Sequence, residues 1–156
     1  MRAIGRILLV GTFVLGAAHT GFARCGDEPG DDAAVAATRA LAESTCHCAT
    51  ATNHGAFVKC VAGVANDQAV PNGPLPKNCK GAVKKCAAHS VCGKPGAVTC
   101  CITKNAETKC KIKKDTDHCT AKGGVVTVGC TSCCDACPGP GSGPSCGGSP
   151  SGAFLR

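Results

Sequence analysis

Residues 100–137 read CCITKNAETKCKIKKDTDHCTAKGGVVTVGCTSCCDAC and hold eight of the sixteen cysteines of the chain. In this stretch an adjacent pair, Cys100 and Cys101, is followed by two spaced cysteines and by a C-x-x-C-C-x-x-C cluster over 130–137. Thiols kept this close together either pair as disulfides or bind a metal, because the C-x-x-C spacing also suits tetrahedral thiolate sites. The choice between these two chemistries decides the fold.

The N-terminal stretch 1–23 has the pattern of a secretory signal peptide. Arg2 and Arg6 make it positive, residues 7–18 form an uncharged apolar run, and small residues precede the expected cleavage site after Ala23. The apolar run is shorter than the roughly 20 residues needed to span a bilayer. The mature chain is therefore predicted to have no transmembrane segment, and to be secreted, exposed on the cell surface or periplasmic.

Export favours disulfides over metal for the cysteines. All sixteen follow the expected cleavage site, their number is even, and disulfides persist in oxidising compartments. Large apolar residues are few, so cross-links that restrict the unfolded chain are expected to supply much of the stability. Thiolate metal binding stays as a lesser alternative, and no cofactor is expected. The disulfide candidates are Cys25, Cys46, Cys48, Cys60, Cys79, Cys86, Cys92, Cys100, Cys101, Cys110, Cys119, Cys130, Cys133, Cys134, Cys137 and Cys146.

The pairing of these cysteines stays open at this stage. Adjacent cysteines such as Cys133 and Cys134 are expected to point to opposite sides and to bond different partners. Cys146 lies alone in a tail, 138–156, that is rich in glycine, proline and serine and is predicted to be flexible. It could pair within the chain, with Cys25 as one candidate, or with another chain.

Apolar periodicity predicts helices in a cysteine-stapled region, 24–93. The second of them has apolar residues at i, i+3, i+4 and i+7 and Asn53 as its N-cap. Asp31 or Asp32 is expected to cap the first. The three predicted helices cover 31–44, 54–66 and 77–90.

The period changes to two in a cysteine-rich hairpin region, 94–137. Apolar and polar residues alternate in two strands that turn near 105–107, and a short helical turn and a third strand are predicted after them. The fold class is a small disulfide-rich α+β protein, with about three helices before a short antiparallel β-hairpin or sheet. The predicted strands cover 98–103, 109–113 and 125–128, and the helical turn covers 115–122.

No catalytic constellation is visible. Asp115 and Asp117 beside His118 form a carboxylate–histidine pair, but no nucleophile or oxyanion hole lies nearby in the sequence. His47, between Cys46 and Cys48, is more simply a surface histidine than a metal ligand. The sequence therefore predicts no enzyme, no catalytic residue and no metal site. Because tryptophan and tyrosine are absent, no specific nucleic-acid binding is expected either.

Lysines dominate the middle of the chain. The full-length chain carries a formal net charge of +7. A solvated surface is the simplest interpretation, and an anionic surface or envelope component is the alternative partner. The predicted function is an exported structural or interaction protein; the alternative is an inhibitor or antimicrobial-type effector that acts through the lysines. The candidate anionic-partner face consists of Lys80, Lys84, Lys85, Lys109, Lys111 and Lys113.

Three stretches also carry a resemblance to a known group of proteins. They are CHCATATNHGAFVKCV at 46–61, NCKGAVKKCAAHSVCGK at 78–94, and 98–137 with its VTCC start and CTSCCDAC end. Together they resemble exported cysteine-rich proteins of myxobacterial and deltaproteobacterial-type bacteria, a group without an assigned activity. The cysteines of 100–119 and the following glycine pair, Gly123 and Gly124, also look similar to a cysteine-rich module of bacterial surface proteins. The resemblance implies export and disulfides, and it implies no mechanism.

Overall fold

A computed structural model describes residues 24–137. The predicted signal peptide, 1–23, and the predicted flexible tail, 138–156, lie outside these residues. Helices come first and a three-stranded antiparallel sheet follows, which confirms the predicted α+β class. The helices are α1 (Asp31–Cys46), α2 (His54–Gln68), α3 (Lys80–Ala88) and α4 (Thr116–Thr120), the strands are β1 (Val98–Lys104), β2 (Glu107–Lys113) and β3 (Gly124–Val126), and short 3₁₀ turns cover Cys48–Thr50 and Lys77–Cys79.

The second helix begins as the sequence predicts. The Asn53 side chain accepts a hydrogen bond from the Ala56 amide at 2.8 Å, which satisfies one of the amides left unpaired in the first helical turn. The buried face of α2 carries Phe57, Val61 and Ala65, spaced at four residues as the helical period requires. This helix is the centre of the helical half, since α1 and α3 both pack against it.

The predicted cap of the first helix is wrong. Gly30 occupies the N-cap position with a φ of 96°, and no side chain caps the helix there. Asp31 is buried instead, and its carboxylate accepts a hydrogen bond from the Gly26 amide at 2.8 Å. The Asp31 carboxylate thus holds the segment 24–30, which precedes α1. The disulfide between Cys25 and Cys79 attaches the same segment to the 3₁₀ turn before α3.

The hairpin turns where the sequence predicts. Asn105 and Ala106 connect β1 and β2, and both have positive φ, at 50° and 62°, as a two-residue turn between antiparallel strands requires. The sheet order is β2-β1-β3, so β1 lies in the centre. Cys101 faces Cys110 across the first strand pair and Val125 across the second.

The third strand begins earlier than predicted and ends earlier. It covers Gly124–Val126, whereas the sequence predicted 125–128 and treated Gly124 as a helix breaker. A Cβ atom on Gly124 would lie 2.9 Å from the Cys119 sulfur and closer still to the Cys100 sulfur. Glycine is therefore needed at this position so that the disulfide between these cysteines can cross the strand.

Fifteen cysteines lie in the described residues, and all of them are in disulfides. The prediction that adjacent cysteines bond different partners is confirmed, because Cys100 and Cys101 bond different residues and so do Cys133 and Cys134. Cys25 bonds Cys79, so its suggested pairing with Cys146 is wrong. The described pairs are Cys25–Cys79, Cys46–Cys60, Cys48–Cys92, Cys86–Cys134, Cys100–Cys119, Cys101–Cys137 and Cys110–Cys133, and Cys130 is bonded in addition.

The main core lies among the helices. It joins Phe57, Val61, Leu75 and Val83 with buried alanines and with sulfur atoms, and Leu75 and Val83 are almost completely inaccessible. A smaller cluster on the sheet contains Cys101, and cysteines make up most of it. Disulfides therefore serve as core material in the sheet half, where large apolar side chains are scarce.

Candidate functional site

Two adjoining hollows lie where the helices meet the segment 129–135. Their cavity volumes are about 470 Å³ and about 450 Å³. Three residues line both hollows, namely Glu43, Cys92 and Thr131. The two hollows thus lie side by side, and we call them together the central groove.

Helix α1 supplies one wall of the groove, and the segment 129–135 supplies the other. Arg39 and Glu43 are four residues apart, so they project from the same face of α1. Arg39 crosses the groove and forms an ion pair with Asp135 at 2.5 Å. This contact and the disulfide between Cys86 and Cys134 tie the opposite wall to the helices.

Backbone hydrogen bonds fix the far wall more firmly. The Val91 amide donates to the Thr131 carbonyl, and the Cys133 amide donates to the His89 carbonyl, both at 2.8 Å. These bonds belong to an isolated antiparallel bridge between Ser90 and Ser132. These bonds attach the segment 129–135 to the residues that follow α3, although this segment is not part of the sheet.

The floor of the first hollow is apolar and its hydroxyl groups are already satisfied. Phe57, Val61 and Val83 lie beneath it, but they are almost completely covered, with exposed fractions of 5%, 3% and 0%. The Ser90 hydroxyl donates to the Ala87 carbonyl at 2.7 Å, and the Ser132 hydroxyl donates to the Cys86 carbonyl at 2.8 Å. A ligand in this hollow would therefore meet chiefly the residues of the rim, where Glu43 is exposed.

The rim charges differ in how they are compensated. Arg39 and Asp135 neutralise each other, whereas the Glu43 carboxylate has no ion-pair or hydrogen-bond partner within residues 24–137. Lys94 lines only the second hollow, where its ammonium donates to the Ser90 carbonyl at 3.1 Å. Partial burial lowers the pKa of Lys94 because desolvation disfavours the charged form.

The His54 ring contacts backbone carbonyl groups at and beyond the end of α3. One ring nitrogen lies 2.9 Å from the Cys92 carbonyl oxygen and the other lies 3.2 Å from the Ala88 carbonyl oxygen. A carbonyl can only accept, so a ring nitrogen donates to it only when it carries the proton. The first residue of α2 is thereby fastened to the end of α3 and to the Cys48–Cys92 disulfide.

The predicted carboxylate–histidine pair forms, and it is a helix cap. Asp115 accepts a hydrogen bond from the His118 amide at 2.8 Å, and it also lies 2.7 Å from the His118 ring nitrogen Nδ1. Donation from that amide, and then from the ring, lowers the pKa of the Asp115 carboxyl. Both side chains are about half exposed, and this geometry starts α4.

Two groups of residues have the proximity of metal ligands. Glu43 lies beside Cys48 and Cys92, and Asp31 lies beside Cys25 and Cys79; in each group the ligand atoms are within 4.8 Å of one another. In both groups the two sulfurs are bonded to each other, and a bonded sulfur offers no thiolate. His47, the other residue considered for metal, is exposed and has a φ of 46° just beyond the end of α1.

The six lysines of the predicted anionic-partner face are divided between two elements. Lys80, Lys84 and Lys85 belong to α3, which packs chiefly on α2, and the Lys84 ammonium donates to the Asn66 side chain at 3.2 Å. The other three, Lys109, Lys111 and Lys113, alternate along β2, which packs chiefly on β1. Lys109 and Lys111 are exposed and Lys113 is half-buried.

No pattern in the amino-acid sequence indicates the central groove. Its rim pair joins residues 96 positions apart, Arg39 and Asp135, and neither lies in a motif. The spacing of Arg39 and Glu43 on a helix that has an acidic start is common on solvated helix faces. Only the fold distinguishes these residues from ordinary surface charges.

No family model, curated protein or solved structure matches this chain. None of the helices in residues 24–137 has the length and apolar character that a membrane crossing requires. The class defined by the fold is therefore a disulfide-stabilised α+β protein. Such a density of disulfides is typical of oxidising compartments outside the cytoplasm.

Proposed function

We propose that the protein is an exported, non-catalytic interaction protein that binds its ligand in the central groove. One observation carries the proposal: two adjoining hollows of about 470 Å³ and about 450 Å³ share an exposed carboxylate, Glu43, on their rim. Ligand sites commonly combine an apolar lining with a few placed polar groups. The disulfides and the Arg39–Asp135 pair hold the two walls in place, so little ordering would be required on binding.

The groove can be tested by filling it from α1. Ala40 lines the first hollow and Ala37 does not, although both are exposed residues of the same helix. Amide NMR of the oxidised mature protein would be recorded with hexan-1-ol, hexylammonium and hexanoate as probes. We expect at least one probe to shift amides of the groove walls in the wild type and in Ala37→Leu, and to lose this effect in Ala40→Leu. Absence of groove shifts with all three probes would overturn the proposal.

Export is part of the same proposal and has its own test. The signal-like start of the sequence and the disulfide density support it, as does the resemblance to exported bacterial proteins. N-terminal sequencing of the protein from the periplasm or the medium of an expressing bacterium is expected to begin at Arg24. A chain that keeps residues 1–23 and stays in the cytoplasm would contradict export.

A second candidate function is an effector that binds an anionic surface through β2. It is favoured by the exposure of Lys109 and Lys111 on an edge strand. Lysines on edge strands also prevent strand pairing between molecules, which is the simpler role for them.

Vesicle sedimentation separates these two roles of the β2 lysines. An effector would bind phosphatidylglycerol vesicles at low salt and release them at high salt, because exposed charges are screened. The double variant Lys109→Gln, Lys111→Gln would weaken binding more than Lys59→Gln, Lys122→Gln, which removes the same charge at other exposed positions. Equal weakening by the two variants would exclude β2 as the binding surface.

A further inference from the structure

We infer that the disulfide between Cys86 and Cys134 is a thiol-exchange site, which an external dithiol opens before the other disulfides of residues 24–137. Opening this bond would release the helical half of the protein, 24–93, from the sheet half, 94–137. The inference goes beyond the proposed function, since it does not depend on ligand binding in the central groove.

The two halves have separate cores. The main core consists of residues between 25 and 92, and the smaller cluster consists of residues between 101 and 137. Helices α1, α2 and α3 pack chiefly on one another, whereas α4 packs on the strands. The chain connects the halves through 93–97, which holds two glycines and a proline and belongs to no helix or strand. Other contacts must therefore fix the position of one half against the other.

The Cys86–Cys134 disulfide is the covalent contact between the halves beyond the chain itself. The helical half holds seven cysteines, and three disulfides pair six of them with one another. Cys86 is the seventh, and it bonds Cys134 in the sheet half. The backbone bridge between Ser90 and Ser132 lies in the same part of the fold. The disulfide and the bridge thus attach the same segment, 129–135, to the helices.

Cys134 is the one cysteine of residues 24–137 that is exposed, since the others are buried or half-buried. Access of the attacking thiolate to one of the two sulfurs is among the factors that set the rate of thiol–disulfide exchange. Two other disulfides have in addition a carboxylate oxygen, from Asp31 or from Glu43, within 4.8 Å of both sulfurs. A negative charge at that distance repels a thiolate. Burial and charge therefore both favour attack at Cys134.

An external dithiol would open the bond in two steps. One thiolate of the dithiol attacks the Cys134 sulfur and forms a mixed disulfide, and the Cys86 sulfur leaves as a thiolate that takes up a proton. The second thiolate of the dithiol then attacks the dithiol's own sulfur in the mixed disulfide, which releases Cys134 as a thiol and closes the dithiol into a disulfide. The dithiol gives up two electrons and two protons, and the two protein sulfurs receive them.

Brief reduction of the wild-type protein tests the order of opening. The oxidised mature protein would be treated with limiting dithiothreitol, quenched and alkylated at acid pH, and mapped by mass spectrometry. Cys46–Cys60 is the internal reference, because both of its cysteines are half-buried. We expect Cys86–Cys134 to open at least about tenfold faster than this reference, because its exposed sulfur is accessible. An equal or slower rate would overturn the exchange site.

Amide hydrogen exchange tests the attachment of the halves. The amides of Val91 and Cys133 donate to carbonyl oxygens across the boundary between the two halves. In the double variant Cys86→Ser, Cys134→Ser, both amides are expected to exchange at least about tenfold faster than in the wild type, because the segment can then open locally.

The matched control is the double variant Cys46→Ser, Cys60→Ser. It removes a disulfide within the helical half that closes a loop of similar length, so the two variants should lose comparable global stability. The amides of Val91 and Cys133 should keep their protection in this control. Unchanged exchange in the variant without Cys86–Cys134, or equally fast exchange in the control, would show that this bond does not hold the halves together. Neither result depends on whether the groove binds a ligand.

Discussion

Gly93 is a position at which the addition of a single methyl group should markedly lower the free energy of unfolding. Its φ is +68°, and a Cβ atom there would lie 2.5 Å from both the Asn53 carbonyl oxygen and the His54 amide nitrogen, and closer to the Asn53 carbonyl carbon. These atoms belong to the backbone at the start of α2, which the bonds of His54 and the cap of Asn53 hold in place. The neighbour therefore cannot move aside cheaply.

The expected loss in the free energy of unfolding caused by Gly93→Ala has two contributions. Left-handed backbone costs an alanine about 1–2 kcal/mol, and overpacking against fixed atoms typically adds about 1–3 kcal/mol. Gly123 supplies the matched control, because its φ is +67° and nothing lies within 4 Å of a Cβ atom there. Gly123→Ala should thus cost only the first contribution.

Guanidinium unfolding of the oxidised proteins, followed by far-ultraviolet circular dichroism, measures both substitutions. We expect the free energy of unfolding to fall by about 1–2 kcal/mol in Gly123→Ala and by at least about 1 kcal/mol more in Gly93→Ala. Equal losses in the two variants would refute the close approach of the Gly93 turn to α2.

Three further predictions concern the caps and the cross-links. Because the pKa of the Asp115 carboxyl is lowered, its ionised form stabilises the start of α4 fully above the ordinary pKa of an aspartate, and this contribution is lost as the pH falls through the lowered pKa. The amide resonance of His118 should move as the pH falls through the lowered pKa, and Asp115→Asn should abolish this movement. Removing Cys86–Cys134 by paired serine substitutions opens a covalent loop of roughly 20 residues, closed through Cys101–Cys137, and should lower the free energy of unfolding in guanidinium by about 3 kcal/mol. Full reduction should abolish the cooperative thermal transition seen by circular dichroism, and a sharp melt with retained helix after reduction would contradict the dependence on disulfides.

Local rules of sequence predicted the elements that depend on neighbours along the chain. Asn53 caps α2 because its side chain reaches an amide three residues away. Alternation along β2 placed Lys109 and Lys111 on the side opposite Cys110 for the same reason, since side chains on a strand alternate between its faces.

The failures lie where residues outside the predicted element decide. Asp31 does not cap α1 because the Gly26 amide takes its carboxylate. The start of β3 was missed because Gly124 is required by the bond between Cys100 and Cys119, and no spacing rule reveals which cysteines pair. The groove was invisible for the same reason, since Arg39 and Asp135 meet only after the chain has folded.

The central claim is that the dense cysteines of 100–137 cross-link the fold instead of holding a metal. Mass spectrometry of the exported protein tests it most directly, after alkylation without reduction and digestion under conditions that prevent disulfide exchange. We predict no alkylated cysteine, together with linked peptides for Cys86–Cys134, Cys101–Cys137 and Cys110–Cys133. Alkylated thiols in this stretch, or zinc that leaves the protein when they are alkylated, would contradict the claim.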